Sequence, residues 1–267
     1  MITVVAVSGL ATVQDGGRPG HMHEGVPPGG ALVPELLARA NAAVGNEEHA
    51  AGLEVFGAIT LSGTATTLVA SDDSVPVQLA AREPWRLLCA GARVRYVAVR
   101  GGIDVPKVFG GRGTLLAAGL GGHEGRALRQ GDELRVGAPG SSHRPPLRSA
   151  PDLDAAIRVV PGPDLDLFEA GALDILLGSE FRVDARSDRT GIRLTGPRLQ
   201  RVGDDLGASC PMVRGAIQVP PSGDPIVLGP DHPTTGGYPV LAAVVVACLG
   251  ALGARPVGAA VRFVAVR

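Results

Sequence analysis

Four glycine-rich stretches hold most of the residues that could do chemistry: TVQDGGRPGHMHEGVPPGG (12–30), GGIDVPKVFGGRGTLLAAGLGGHEGR (101–126), SDRTGIRLTGP (187–197) and GAIQVPPSGDPIVLGPDHPTTGGYP (215–239). Three of them carry an aspartate and an arginine close together: Asp15 with Arg18, Asp104 with Arg112, and Asp188 with Arg189. A guanidinium fork binds a carboxylate or phosphate through two parallel hydrogen bonds. A neighbouring carboxylate can orient that fork or take a proton. Consecutive glycines leave backbone N–H groups free to line an anion-binding concavity. In TTGGYP, Thr234 and Thr235 precede the amides of Gly236 and Gly237, and an apolar run that reads as a helix follows. The amides are therefore expected at a helix N-terminus, where the dipole favours a negative group. Each pattern also has a purely structural reading. Gly-Gly pairs serve tight turns and crowded corners, Asp–Arg pairs tie loops down, and a threonine before a helix is an N-cap.

Other chemistries leave no trace in the sequence. There is no phosphate-loop pattern, no G-x-S-x-G elbow and no H-E-x-x-H helix, and GLGGHEG (119–125) fails the dinucleotide spacing. Cys89, Cys210 and Cys248 are far apart and odd in number, so they read as thiols rather than a zinc site or disulfide framework. His21 and His23 could share one side of a strand and hold a metal, but no third ligand is evident, and the expectation is no metal. A net charge of −1 and 3% aromatic residues argue against a nucleic-acid partner. Lys107 is the only lysine. A mechanism that needs an amine must use it, and a biotin carrier would have to be another chain.

The elements that position these stretches are short. The sequence holds 39 glycines and 22 prolines in 267 residues, which favours many strands and turns over long helices. Strands are expected at 2–7, 58–61, 66–70, 75–80, 94–99, 157–160, 180–184, 192–194, 216–219 and 261–266. Helices are expected at 33–45, at 164–178 and in the apolar run 240–252. That run is too short to cross a bilayer, and the N-terminus lacks the basic region of a signal peptide, so a cytoplasmic location is expected. The Pro/Ser/Gly-rich stretch near 137–151 reads as a linker. The expected division is 1–140, a linker at 141–151, and 152–267. RQGDELRV (129–136) and RPVGAAVRFV (255–264) each read as a glycine turn into a strand, which hints at duplication.

Taken together, TVQDGGRPG…GVPPGGA, LARANAAVGN, GLEVFG, RGGIDVP, GLGGHEGRAL, SDRTGIRLTGP, GAIQVPPSGDPIVL and TTGGYP resemble the family of 5-oxoprolinase C subunits. This family is also called allophanate hydrolase subunit 2, KipA or biotin-dependent carboxyltransferase. The resemblance runs in order from about residue 3 to 263. It implies a mainly β fold of two tandem cyclophilin-like β-barrels with a few helices. It implies ATP-dependent opening of 5-oxoproline (pyroglutamate) to L-glutamate. The implied partners are the KipI-like B and the A subunits of 5-oxoprolinase, with ATP and Mg used by the complex. Related domains in urea carboxylase give an alternative, a carboxyltransferase component with biotin on another chain. A non-catalytic regulatory binding protein is a third reading. For a reaction at an amide carbonyl, the candidate catalytic residues are Asp15, Arg18, Glu54, Asp188 and Arg189. The candidate substrate- and anion-binding residues are Gln14, Arg112, Arg126, Gln218, Thr234, Thr235, Gly236, Gly237 and Tyr238. The chain departs from the family pattern at Val33, Gly111, Gly113, His232 and Cys248, where polar side chains are usual or a different polar group stands.

Overall fold

The computed structural model describes residues 1–72, 76–140, 147–203 and 208–266. Residues 141–146 of the expected linker, and residue 75 at the start of one expected strand, lie outside the described residues. The chain divides into two compact units: Met1–Pro19 with Gly29–Pro151, and Gly20–Pro28 with Asp152–Arg267. Among the described residues no helix is long and apolar enough to cross a membrane.

The N-terminal unit contains β1 (Ile2–Gln14), α1 (Pro34–Val44), β2 (Gly52–Gly63), β3 (Thr67–Ser71), β4 (Val77–Leu79), β5 (Pro84–Leu88), β6 (Arg95–Val99) and β7 (Glu133–Leu134). β1 and β2 pair antiparallel along their whole lengths, and Ile2, Val4, Leu53, Val55, Leu61, Val97 and Val99 fill the core beneath them. Gly9 and Gly57 face each other across this pair, with φ of 88° and 119°. A Cβ on Gly57 would lie 2.2 Å from the Ser8 carbonyl oxygen, so only glycine permits the approach. Before Gly57, β2 pairs with β6 through Leu53–Val55; after it, β2 pairs with β5 through Ala58–Ser62. The bend thus sends one strand to two different neighbours.

That bend corrects the expectation of two tandem cyclophilin-like barrels. The sheet order in this unit is β4-β3-β6-β2-β1-β7, with β5 branching from β2, and the short end strands β4 and β7 do not pair with each other. The sheet is open, and β2 divides its pairing between β6 and β5. Helix α1 packs on β3 and β6. Pro34 is suited to the first turn of α1, where no amide partner is needed, and Gly45 ends it in the left-handed region at φ 74°.

The C-terminal unit contains β8 (Ile157–Pro161), α2 (Ala172–Gly178), β9 (Glu180–Val183), β10 (Gly191–Thr195), β11 (Cys210–Pro211), β12 (Ala216–Gln218), β13 (Ile226–Leu228), β14 (Thr235–Gly236), β15 (Val240–Val244), α3 (Val246–Ala254) and β16 (Ala260–Ala265). Here the sheet does close, in the order β10-β13-β12-β15-β8-β16-β9, with β9 returning to β10. Ile157, Phe181, Leu194, Ile217, Leu241 and Phe263 are buried in this core, and the Phe181 and Phe263 rings meet edge to face with centroids 6.1 Å apart.

Two expected helices are shorter than their apolar patterns. The run 240–252 begins as strand β15, and only from Val246 does it become helix; β-branched valines suit the pleated barrel wall. The segment 164–178 is a 3₁₀ turn (Leu165–Leu167) and then α2, interrupted at Gly171 with φ 89°.

The bend at Gly57 should be costly to disturb. Gly57→Ala is expected to destabilise the N-terminal unit by about 2 kcal/mol or more, from the forced φ and the carbonyl clash together. Urea unfolding followed by Trp85 fluorescence measures this, and an unchanged midpoint contradicts it.

Candidate functional site

The first glycine-rich stretch leaves β1 and turns immediately. Asp15, at the turn, is 9% exposed. Its Oδ1 accepts hydrogen bonds from the amides of Gly17 (2.9 Å) and Gly113 (3.1 Å), and its Oδ2 accepts one from the amide of Arg112 (2.6 Å). One carboxylate therefore joins segment 15–17 to segment 112–113. Arg18 is buried, and its guanidinium donates to the Gly113 carbonyl oxygen. Gln14 is fully buried and donates from Nε2 to the Thr114 carbonyl at 3.0 Å and to Thr12 Oγ1 at 3.2 Å. A Cβ on Gly113 would stand 2.7 Å from Gln14 Oε1 and 3.2 Å from Asp15 Oδ1, so a larger residue there needs those side chains to shift.

Two clefts open on these loops. One, of about 720 Å³, is lined by Asp15, Gly16, Gly17, Glu47, His49 and Lys107 among others. The other, of about 790 Å³, is lined by His123, Glu124, Glu133 and Arg135 among others. Asp104, Lys107 and Arg112 line both. Arg112 lies against Asp104, with Nη2 3.0 Å from Oδ1, and both side chains are partly exposed. The structure thus brings together Gln14, Asp15, Arg18 and Arg112 from the expected site. The sequence patterns pass over His49 and Glu47 and single out Asp104 only as a neighbour of Arg112. Lys107 stands out only as the lone lysine, and His49 and Glu47 lie outside the four glycine-rich stretches.

Glu54 has a different place. It is fully buried on β2, where its Oε2 accepts from the Leu32 amide at 2.8 Å and from the Tyr96 hydroxyl at 2.6 Å. The Tyr96 hydroxyl in turn accepts from the Val33 amide at 2.9 Å. The pair satisfies amides just ahead of α1, which side chains commonly do at a helix start. Val33 therefore needs no polar side chain of its own there.

In the C-terminal unit, Arg189 makes a bidentate pair with Asp231, Nε to Oδ2 at 2.7 Å and Nη2 to Oδ1 at 2.9 Å, and both side chains are buried. The exposed Asp188 accepts from the amides of Thr190 and Gly191 and shapes that turn. Gln218 Nε2 donates to the Tyr238 carbonyl at 3.0 Å and lies 3.1 Å from Met212 Sδ. Thr235 and Gly236 form β14 and pair with Pro211 and Cys210. The expected helix N-terminus at TTGGYP is therefore a strand; Gly237 and Tyr238 follow it, and Thr234 gives its carbonyl to the Met212 amide. His232 is fully buried; its Nδ1 donates to the Pro233 carbonyl at 2.8 Å, and burial pushes its pKa down, so the ring is held neutral. Among the described residues no cluster of three or more His, Cys, Asp or Glu could hold a metal ion. Of the expected His21/His23 pair, His21 Nδ1 lies 2.7 Å from Glu24 Oε1.

Arg126 is paired within its own loop. It bonds Asp132 through two nitrogens, at 2.8 and 2.9 Å, and also Glu124. The Arg126 hydrogen bonds hold the Asp132 carboxyl down to about 2, with the Arg129 amide helping, while Asp132 raises the Arg126 pKa. A carboxyl depressed below its ordinary 3.8 gives stability that is complete above that value and is lost as pH falls through about 2. The stability gap between the protein and Asp132→Asn should therefore be constant at neutral pH and close between those two values. Thermal unfolding across that range checks it, and a gap that persists at the acid end contradicts it.

The chain matches the family described as carboxyltransferase domain, subdomain A and B, over residues 24–265. It is 35% identical over 290 residues to the 5-oxoprolinase C subunit of Escherichia coli (strain K12), covering 99% of this chain and 91% of that one. It is 29% identical over 306 residues to urea amidolyase of Lachancea kluyveri, covering 98% of this chain and 17% of that protein. The crystal structure of the K. lactis urea amidolyase matches all of this chain with a TM-score of 0.84 at 26% identity. This chain spans 19% of that enzyme. With these matches running nearly end to end, the chain belongs to the biotin-dependent carboxyltransferase domain family, to which 5-oxoprolinase C subunits and urea carboxylase homologues are related.

Proposed function

We propose that this chain is the carboxyltransferase component of a multi-chain enzyme that passes a carboxyl group to the nitrogen of a small amide-type substrate. The observation that carries the reading is the cleft in the N-terminal unit where Lys107 and Arg112 stand beside the loops fixed by Asp15. In such a transfer one C–N bond breaks and another forms. The acceptor nitrogen gives up a proton, and the donor nitrogen receives it. The carboxylate must be held throughout by cations and N–H donors. Biotin, tethered to another chain, supplies the carboxyl group when bound; cationic side chains beside glycine amides suit a carboxylated ring, and the cleft volume is in the usual range for small ligands. Arg112 and Lys107 hold the carboxylate in this reading. His49 and Glu47, both on the cleft wall, are positioned to relay the proton. Asp15 and Arg18 position the loops rather than react.

A second reading has its own support: the identity to the 5-oxoprolinase C subunit extends over 91% of the E. coli chain, and at 33% over 91% of the Haemophilus influenzae one. In that reading the cleft holds the carboxylate of 5-oxoproline. The KipI-like B and the A subunits of such an enzyme then complete an ATP-consuming ring opening.

Native purification of the chain with its bound partners, followed by two assays, separates these. The first reading predicts a biotinylated partner and ATP-dependent fixation of labelled bicarbonate that avidin abolishes. Avidin-insensitive, ATP-dependent release of glutamate from 5-oxoproline would replace it with the second reading. No turnover in either assay, with altered activity of a bound partner, would make the chain a regulatory protein.

A further inference from the structure

Lys107 is the only lysine among 25 basic residues. It lines both clefts of the N-terminal unit, together with Asp104 and Arg112. Of the nearby guanidinium groups, Arg112 is engaged with Asp104, Arg18 with the Gly113 carbonyl, and Arg126 with Asp132 and Glu124, while Arg135 lines only the larger cleft. The Lys107 ammonium is exposed and has no ion pair or hydrogen bond among the described residues. Its backbone is nevertheless fixed. Val105 is buried on one side. On the other, Val108 and Gly111 exchange hydrogen bonds at 2.8 and 3.2 Å, closing a tight turn in which Phe109 sits at φ 52°. A compact ammonium with three donors, uncommitted and carried on a rigid base, is suited to a single carboxylate.

We propose that Lys107 is a carboxylate-binding residue on the wall shared by the two clefts, and that each cleft takes one of two reactants whose transferred or retained carboxylate meets at this ammonium. A group transfer needs two sites that converge, and a side chain lining both is placed to hold the carboxylate from either side. The inference deepens the function proposed above and rests on its reading of this cleft, but its test does not use turnover.

The lone lysine makes that test residue-specific. The full-length protein is acetylated with an amine-selective reagent, and the modification rate at Lys107 is read by peptide mass spectrometry, with the α-amino terminus as internal reference. The probe is malonate, compared with its neutral analogue malonamide and with sodium chloride at matched ionic strength. At ten times its dissociation constant, malonate should slow Lys107 acetylation about ten-fold, leave the α-amine unaffected, and be matched by neither control. Calorimetric malonate binding should be lost in Lys107→Met and partly kept in Lys107→Arg. Equal acetylation with and without malonate, or equal protection by malonamide, overturns the proposal. Bicarbonate fixation with an unprotected Lys107 would remove this residue's role and leave the proposed function standing; protection without fixation would do the reverse.

Discussion

The Asp15 carboxylate is the point on which the N-terminal site depends. It accepts three backbone amides, two of them from residues about a hundred positions further along the chain. Hydrogen bonds to a charged acceptor are each worth about 1.5–3 kcal/mol, so this one side chain can hold two loops together that share no strand pairing at that point. What it fixes lies on the cleft wall. Arg112 is anchored by its amide, its guanidinium then reaches Asp104, and the Gly113 carbonyl is set to receive Arg18. The contact also demands glycine. At Gly111 a Cβ would fall 2.6 Å from the Gly17 carbonyl, and at Gly113 it would press on Gln14.

The same physical device recurs at other acids in the molecule. Glu54 satisfies amides ahead of α1, Asp188 shapes a turn, and Asp231 neutralises the buried Arg189. Buried charge is stable only when paired or hydrogen-bonded, and a carboxylate whose lone pairs are taken by backbone amides is poorly placed to accept a substrate proton. These acids are thus committed to backbone amides or to a buried guanidinium, whereas Lys107, His49 and Glu47 stand exposed on the cleft wall. Polar loops held on a stiff β scaffold are a common place for such residues.

Much of this was legible in the residues themselves. The richness in strands and helix α1 with Pro34 and Gly45 at its ends follow from local signals; the meeting of Asp15 with the amides of Arg112 and Gly113, 97 and 98 residues away, does not. The family was legible in its motifs. The openness of the N-terminal sheet was not, because Gly9 and Gly57, which read as strand ends, lie inside two long paired strands and β2 changes partners at Gly57. Whether a glycine ends a strand or bends it depends on what lies across from it, and that is a long-range fact. The TTGGYP motif misled for a related reason. An apolar run after a glycine pair fits a helix or a buried strand equally well by hydropathy, and the barrel decided in favour of the strand. The partner of Arg189 was equally hidden: its neighbour in sequence, Asp188, was the obvious choice, while the structure pairs it with Asp231.

The most direct measurement is amide hydrogen exchange, followed by mass spectrometry, on the protein and its Asp15→Asn variant. Asparagine keeps the shape but turns one acceptor oxygen into a donor. If Asp15 holds the cleft together, exchange should quicken about ten-fold or more at 15–18 and 110–114, since a loss of about 1.4 kcal/mol already gives that factor, while α1 and the C-terminal barrel stay unchanged. Unaltered exchange in both loops would contradict the account and show that their packing stands without the carboxylate.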